Sequence, residues 1–120
     1  MSSEVFGWDL AVDCAECDLD KITNAEHIKA FVRELVEDID MKSFGECVCV
    51  KFGEGKLEGF SVVQLIHTSC ITIHFQDFNR SAYFNIFSCK VFEKEVVKKC
   101  ILKWFSPKFI KMNMLERSVP

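Results

Sequence analysis

The chain has 120 residues, enough for one domain, and a composition 49% hydrophobic and 12% aromatic can fill a real core. A net charge of −3 argues against nucleic acid as a target. Seven cysteines would suggest a disulfide scaffold in a secreted chain, but MSSEVFGWDL has neither a basic region nor a long apolar run, and no stretch approaches membrane-spanning length. An odd, strand-embedded set of thiols fits the reduced state of the cytoplasm.

Phe6 to Asp13 is predicted as the first strand, with Leu10 and Val12 on one face. Cys14 to Ile22 is a short connection. Within it Cys14-Ala15-Glu16-Cys17 has zinc-like spacing, yet no second cysteine or histidine pair follows at a ligand-like distance, and no metal is predicted. Thr23 and Glu26 form a capping-box pattern, and Ile28, Phe31, Val32, Leu35, Val36 and Ile39 recur at helical spacing. His27, Glu34, Glu37 and Asp38 fall on the solvated face of that helix.

Met41 to Gly45 leads into a strand from Glu46 to Phe52, where Cys47 and Cys49 share a face, and Gly53-Glu54-Gly55-Lys56 is a turn. Three further strands are predicted over Phe60 to His67, Cys70 to Phe75 and Ala82 to Ser88. A second helix from Glu93 to Trp104 turns Val96, Val97, Cys100, Ile101 and Trp104 inward; Ser106-Pro107 ends it, and Lys108 to Leu115 closes as a last strand. The pattern is that of an α+β two-layer sandwich: one largely antiparallel sheet with two helices on the same face. Its uncovered apolar face predicts a homodimer of αββα form.

The chemistry concentrates between Gly59 and Lys90. Ser61 lies eight residues before Ser69, His74 five after it and Cys89 twenty after it. Alone, each is an ordinary strand residue; together they supply a nucleophile, a second hydroxyl, a base and a thiol on three adjacent strands. No Gly, Pro or Asn separates the first two strands, so the chain must turn at His67-Thr68-Ser69 without the usual residues, the kind of local conflict in which strain and chemistry are stored. In a regular strand Ser69, Ile71 and Ile73 share one face and Cys70, Thr72 and His74 the other, so only a twist or bulge at the serine lets His74 face it.

The stretch resembles the S-adenosylmethionine decarboxylases of the small bacterial and archaeal type, which process themselves to a covalent pyruvoyl group. The resemblance is carried by Ser61, by Ser69 with Ile71-Thr72-Ile73-His74, and by Ile86-Phe87-Ser88-Cys89. It extends over Gly7-Trp8-Asp9-Leu10, the following helix and Met41 to Gly45. It implies that the Ser69 hydroxyl attacks the Thr68 carbonyl, with Ser61 stabilising the oxygen that becomes negative. His74 then takes the Ser69 α-proton, and the chain ends as two pieces cut between Thr68 and Ser69. The pyruvoyl ketone so formed takes up a substrate amine as a Schiff base and accepts the electrons left by carbon dioxide, and Cys89 returns the proton. No metal or external cofactor is called for.

Several residues depart from the family pattern. Thr68 and Cys70 stand where a glutamate and a histidine usually flank the serine. Gln76-Asp77-Phe78-Asn79-Arg80 replaces a Trp-Pro-Glu-Tyr-Gly run whose glutamate holds the ribose hydroxyls, which puts Phe78 at the glutamate and Asp77 one residue away. Gly55 falls where an aromatic stacks on adenine, leaving Phe52 or Phe60 as replacements. The substrate is an amino-acid-type small molecule: S-adenosylmethionine by default, arginine or ornithine as the alternative. An unprocessed, non-catalytic regulatory relative is the other reading.

Overall fold

A computed structural model describes residues 4–120; Met1, Ser2 and Ser3, which open the stretch read above as having no signal-peptide character, lie outside the described residues. Six strands form one sheet: β1 Gly7–Ala15, β2 Ser43–Phe52, β3 Gly59–Ile66, β4 Ser69–Gln76, β5 Ser81–Ser88 and β6 Phe109–Arg117. The order is β2-β3-β4-β5-β1-β6, with every neighbouring pair antiparallel. Helices α1 Leu19–Ile22, α2 Ala25–Asp38 and α3 Lys94–Phe105, with a single 3-10 turn at Gly55–Leu57, complete the chain. No helix among the described residues is long and apolar enough to cross a membrane.

One face of the sheet and the two longer helices make the core. Alternation along the strands sends Leu10, Val12, Val62, Ile66, Ile71, Ile73, Phe84 and Ile86 to that face, where they meet Ile28, Phe31 and Leu35 of α2 and Val97, Ile101 and Phe105 of α3, all essentially buried. Phe105 sits at the centre, its ring centroid 4.8 Å from Phe31 and 5.2 Å from Phe75. The opposite face is left open. Its β2-β3 half carries exposed Val50, Phe52, Val63 and Leu65, whereas its β1-β6 half carries ion pairs, Asp9 with Arg117 at 2.9 Å and Asp13 with Lys111 at 3.5 Å.

Several local expectations are corrected. The first strand runs on through Cys14 to Ala15, and the segment read as a plain connection contains the one-turn helix α1. The α2 cap is Asn24, whose side chain accepts from the His27 N–H at 3.1 Å; the Thr23 hydroxyl instead donates back to Leu19 O at 2.7 Å, closing α1. The strand predicted from Glu46 begins at Ser43, because a bulge between Phe44 and Val48 interrupts its pairing with β3 and Gly45, at φ 75°, absorbs the extra length. The buried Gln64 amide donates to the carbonyls of Gly45 and Leu65 at 3.3 and 2.8 Å, satisfying the interrupted ladder.

His27 and Glu34 are not simply solvated. His27 Nε2 donates to the Trp104 carbonyl at 2.7 Å, while Glu34 accepts from Trp104 Nε1 at 2.6 Å and Lys103 Nζ at 2.7 Å. These bonds tie α2 to α3. The hydrogen bond from Lys103, then that from Trp104, hold the Glu34 carboxyl below the usual carboxylate range. A carboxylate depressed on folding contributes stability above its unfolded value that is lost as pH falls through the folded one. The melting-temperature gap between wild type and Glu34→Gln should therefore be widest near neutrality and close in acid; a gap that does not change with pH rules this link out.

Candidate active site

The β3-β4 hairpin turns on two residues, His67 and Thr68, joined by a cis peptide, with Ile66 and Ser69 as its last cross-strand pair. Neither turn residue has a positive φ. Across β4 and β5, Cys70 pairs with Phe87, which carries the end of β5, Ser88 and the Cys89 that follows it, up beside Ser69. The Cys89 N–H donates to Ser69 Oγ at 3.0 Å, and the Cys89 thiol donates to the Thr68 carbonyl at 3.6 Å. A hydroxyl, the carbonyl it would attack and two donors are thus gathered at one end of the hairpin.

What fixes Cys89 is a bend the sequence did not advertise. Ser88 Oγ donates to the Lys90 carbonyl at 2.7 Å and accepts from the Lys90 N–H at 2.9 Å. The Lys90 ammonium in turn reaches Asp40, donating to its carbonyl at 2.6 Å and its carboxylate at 2.8 Å. Lys90 and Asp40 lie fifty positions apart, and only the juxtaposition of the ends of α2 and β5 reveals the contact.

Ser61 and His74 form a second group. They are a direct cross-strand pair, and Ser61 Oγ and His74 Nδ1 share a hydrogen bond of 3.0 Å. Both line a pocket of about 300 Å³ on the open sheet face, together with Phe52, Leu57, Gln76 and Tyr83. Gly59 gives this pocket its floor: a Cβ there would collide with the Phe75 carbonyl, so no larger residue fits without moving β4.

The two groups do not meet. β4 pairs with β3 in unbroken register from His74 to Ser69, without the bulge that would turn His74 toward the serine. Five residue steps along the strand separate them, roughly 16 Å at about 3.3 Å per residue, and their side chains leave opposite faces. The donor at the Thr68 carbonyl is accordingly the Cys89 thiol, and Ser61 stands with His74 instead.

Of the candidate substrate-binding residues, Phe52 lines the pocket and Phe60 does not. Phe60 packs on the helix side, with the Lys51 ammonium 5.5 Å from its ring. Asp77 lies in the β4-β5 turn with Oδ2 3.0 Å from Lys51 Nζ, while its Oδ1 is buried without a partner. Asp77, helped by Glu58, raises Lys51 above the usual lysine range. Phe78 is exposed, with Lys56 over its ring at 5.1 Å. Gln76 and Tyr83 line the pocket although the sequence reading passed over them; Tyr83 was findable as the β5 partner of His74.

The Ser69 hydroxyl, the Thr68 carbonyl and the two Cys89 donors fit formation of a pyruvoyl group at position 69 by acyl shift. For a metal, Glu34, Asp38 and Cys100 are the one cluster of potential ligands among the described residues, within 4.8 Å of one another. Glu34 is already bonded to Lys103 and Trp104, and burial pushes the Cys100 thiol up to about 12, so it stays protonated.

Comparison with known proteins agrees with this architecture. The crystal structure of the adenosylmethionine decarboxylase from Aquifex aeolicus VF5 superposes with a TM-score of 0.82 at 21% sequence identity, covering 98% of this chain and 94% of that one. At that identity the likeness speaks for the fold. No curated protein sequence matches the chain. A sequence profile of the S-adenosylmethionine decarboxylase family matches residues 8–118, nearly the full length, and the chain belongs to that family.

Proposed function

We propose that this protein is a self-processing decarboxylase of polyamine biosynthesis, cut between Thr68 and Ser69, with S-adenosylmethionine as its substrate. The observation that carries the reading is the contact of Cys89 with both Ser69 Oγ and the Thr68 carbonyl. Attack of the Ser69 oxygen on that carbonyl carbon breaks the Thr68–Ser69 C–N bond and leaves an ester, the released nitrogen taking the hydroxyl proton. The Cys89 thiol donates to the oxygen that becomes negative. Loss of the Ser69 α-proton then expels the Thr68 carboxylate, and hydrolysis of the resulting dehydroalanine releases ammonia and leaves a pyruvoyl end.

The base we assign to that proton is His74, with Ser61 fixing its ring through the 3.0 Å hydrogen bond. For His74 to act, the first residues of β4 must peel from the ladder toward the open face while Ser69 is still joined to Thr68 through the ester oxygen. The pyruvoyl group supplies an electron sink for decarboxylation. Cys89 is the proton donor, and the freed pyruvoyl end of β4 must swing to the open face for its substrate to enter the pocket lined by Phe52, Tyr83 and Gln76. We place the protein in the cytoplasm as a homodimer joined through the apolar β2-β3 half of the open face, which would put the pocket at the interface.

A second reading, an unprocessed regulatory relative, is favoured by the separation of His74 from Ser69. An intact-mass spectrum decides between the two. Wild type should give two pieces, residues 1–68 and a blocked 69–120, whereas one uncut mass after long incubation supports the regulatory role. Release of labelled carbon dioxide from S-adenosylmethionine, compared with arginine and ornithine, then assigns the substrate.

A further inference from the structure

The connection from α2 to β2, residues 39–42, reaches both sides of the Thr68–Ser69 bond. Its shape is set locally. Asp40 takes a left-handed φ of 58°, and the Asp40 N–H donates to the Glu37 carbonyl and the Met41 N–H to the Val36 carbonyl, both at 2.9 Å. This is a Schellman closure, which fixes the residues after the helix relative to its last turn. Ile39 and Met41 are buried, so the connection is packed against the core as well.

Two arms extend from that frame. On the acyl side, the Lys42 carbonyl accepts the His67 N–H at 3.0 Å, one residue before the carbonyl that is attacked. On the donor side, the Lys90 ammonium bonds the Asp40 carbonyl at 2.6 Å and its carboxylate at 2.8 Å, and Ser88 Oγ lies 3.6 Å from Met41 Sδ. The Lys90 and Asp40 side chains are 54% and 94% exposed, so their ion pair adds little to stability. Its effect is geometric: the ammonium ties residue 90 to the same short segment that holds residue 67.

We infer that Lys90 is a positioning residue for self-cleavage: by clasping Asp40 it holds the Cys89 donors in register with the Thr68 carbonyl, which the Lys42 arm steadies from the other side. The inference rests on the self-cleavage proposed above. The Lys90 N–H and carbonyl both close on Ser88 Oγ, at 2.9 and 2.7 Å, which leaves Cys89 at the apex of a bend between two fixed residues. The thiol reaches the Thr68 carbonyl at 3.6 Å, so a small drift of the bend breaks the contact. A misplacement of about 1 Å can cost about a hundredfold in rate.

The test is Lys90→Met in the full-length chain, which keeps a long stem and both backbone groups but loses the ammonium. Cleavage, followed by intact mass, should slow on the order of tenfold to a hundredfold. In the Cys89→Ala chain the same substitution should slow it much less, because the thiol it positions is gone. Equal slowing in the two backgrounds, or a wild-type rate for Lys90→Met, overturns the assignment. A second measurement does not depend on cleavage. In the uncut Ser69→Ala chain, Lys90→Met should free the Cys89 thiol, and iodoacetamide should alkylate it several-fold faster in the folded protein. The tryptic peptide that begins at Ser81 reports this, since it contains no other cysteine. The His67 amide, held by the other arm, should keep its slow hydrogen exchange. Unchanged alkylation overturns the inference, and so does loss of His67 protection, which would mean that Lys90 supports the fold as a whole. If wild type is never cut, the self-cleavage reading fails by itself, and alkylation still decides whether Lys90 holds Cys89.

Discussion

Ser69→Ala is expected to remain a single chain of 13.8 kDa under conditions in which wild type separates into two pieces. The variant keeps the Thr68 carbonyl and the donor thiol but lacks the oxygen that attacks. Cys89→Ala separates the contributions of the donors, since it removes the thiol bonded to the Thr68 carbonyl and spares the amide bonded to Ser69. Loss of one such donor should slow cleavage roughly a hundredfold to a thousandfold. His74→Ala should pass the first step and stop at an ester that hydroxylamine cleaves, because the imidazole is remote from the carbonyl that is attacked. Time courses of intact mass check all three. If Ser69→Ala is still cut at the same bond, the nucleophile has been misassigned; if His74→Ala generates the blocked end at the wild-type rate, the histidine has no part in processing.

Phe105→Ala is expected to be the most damaging substitution outside the site. The ring is fully buried between α2 and the sheet, with centroids 4.8 Å from Phe31, 5.2 Å from Phe75 and 6.0 Å from Phe84. Truncation of such a ring costs roughly 3–5 kcal/mol, a large part of the roughly 5–15 kcal/mol that holds a domain together. The urea midpoint should fall accordingly with little change in slope. Phe78→Ala, at an exposed ring, is the control and should stay within about 0.5 kcal/mol of wild type. A loss at Phe105 no larger than at Phe78 would mean that the aromatic cluster does not bear on stability.

The layers of this fold were legible because the hydrophobic periods are strong. Ile28 through Ile39 announce α2, and the alternation from Val62 to Ile73 announces two strands buried on one face. Short-range competition was not legible. Thr23 and Asn24 are both good caps, and the choice fell to Asn24 because the Thr23 hydroxyl is occupied by the carbonyl of Leu19. The site was legible in membership but not in arrangement. The intervals from Ser61 to Ser69 and from Ser69 to His74 read as convergence on the serine. In a hairpin that turns on His67 and Thr68, the same intervals must set Ser61 opposite His74 and leave Ser69 at the turn. The positioning of Cys89 by Lys90 and Asp40 had no sequence signal, since it depends on where two elements end in space.

The strand order has a consequence for what a break after Thr68 would leave behind. The fragment with β1, β2 and β3 and the fragment with β4, β5 and β6 would not sit side by side: β1 is threaded between β5 and β6, and the β4-β5 hairpin between β3 and β1. The halves are dovetailed along three separate seams. They would stay together without any covalent link and part only when the whole molecule denatures, and reassembly from the separated halves would become a second-order, dilution-sensitive event.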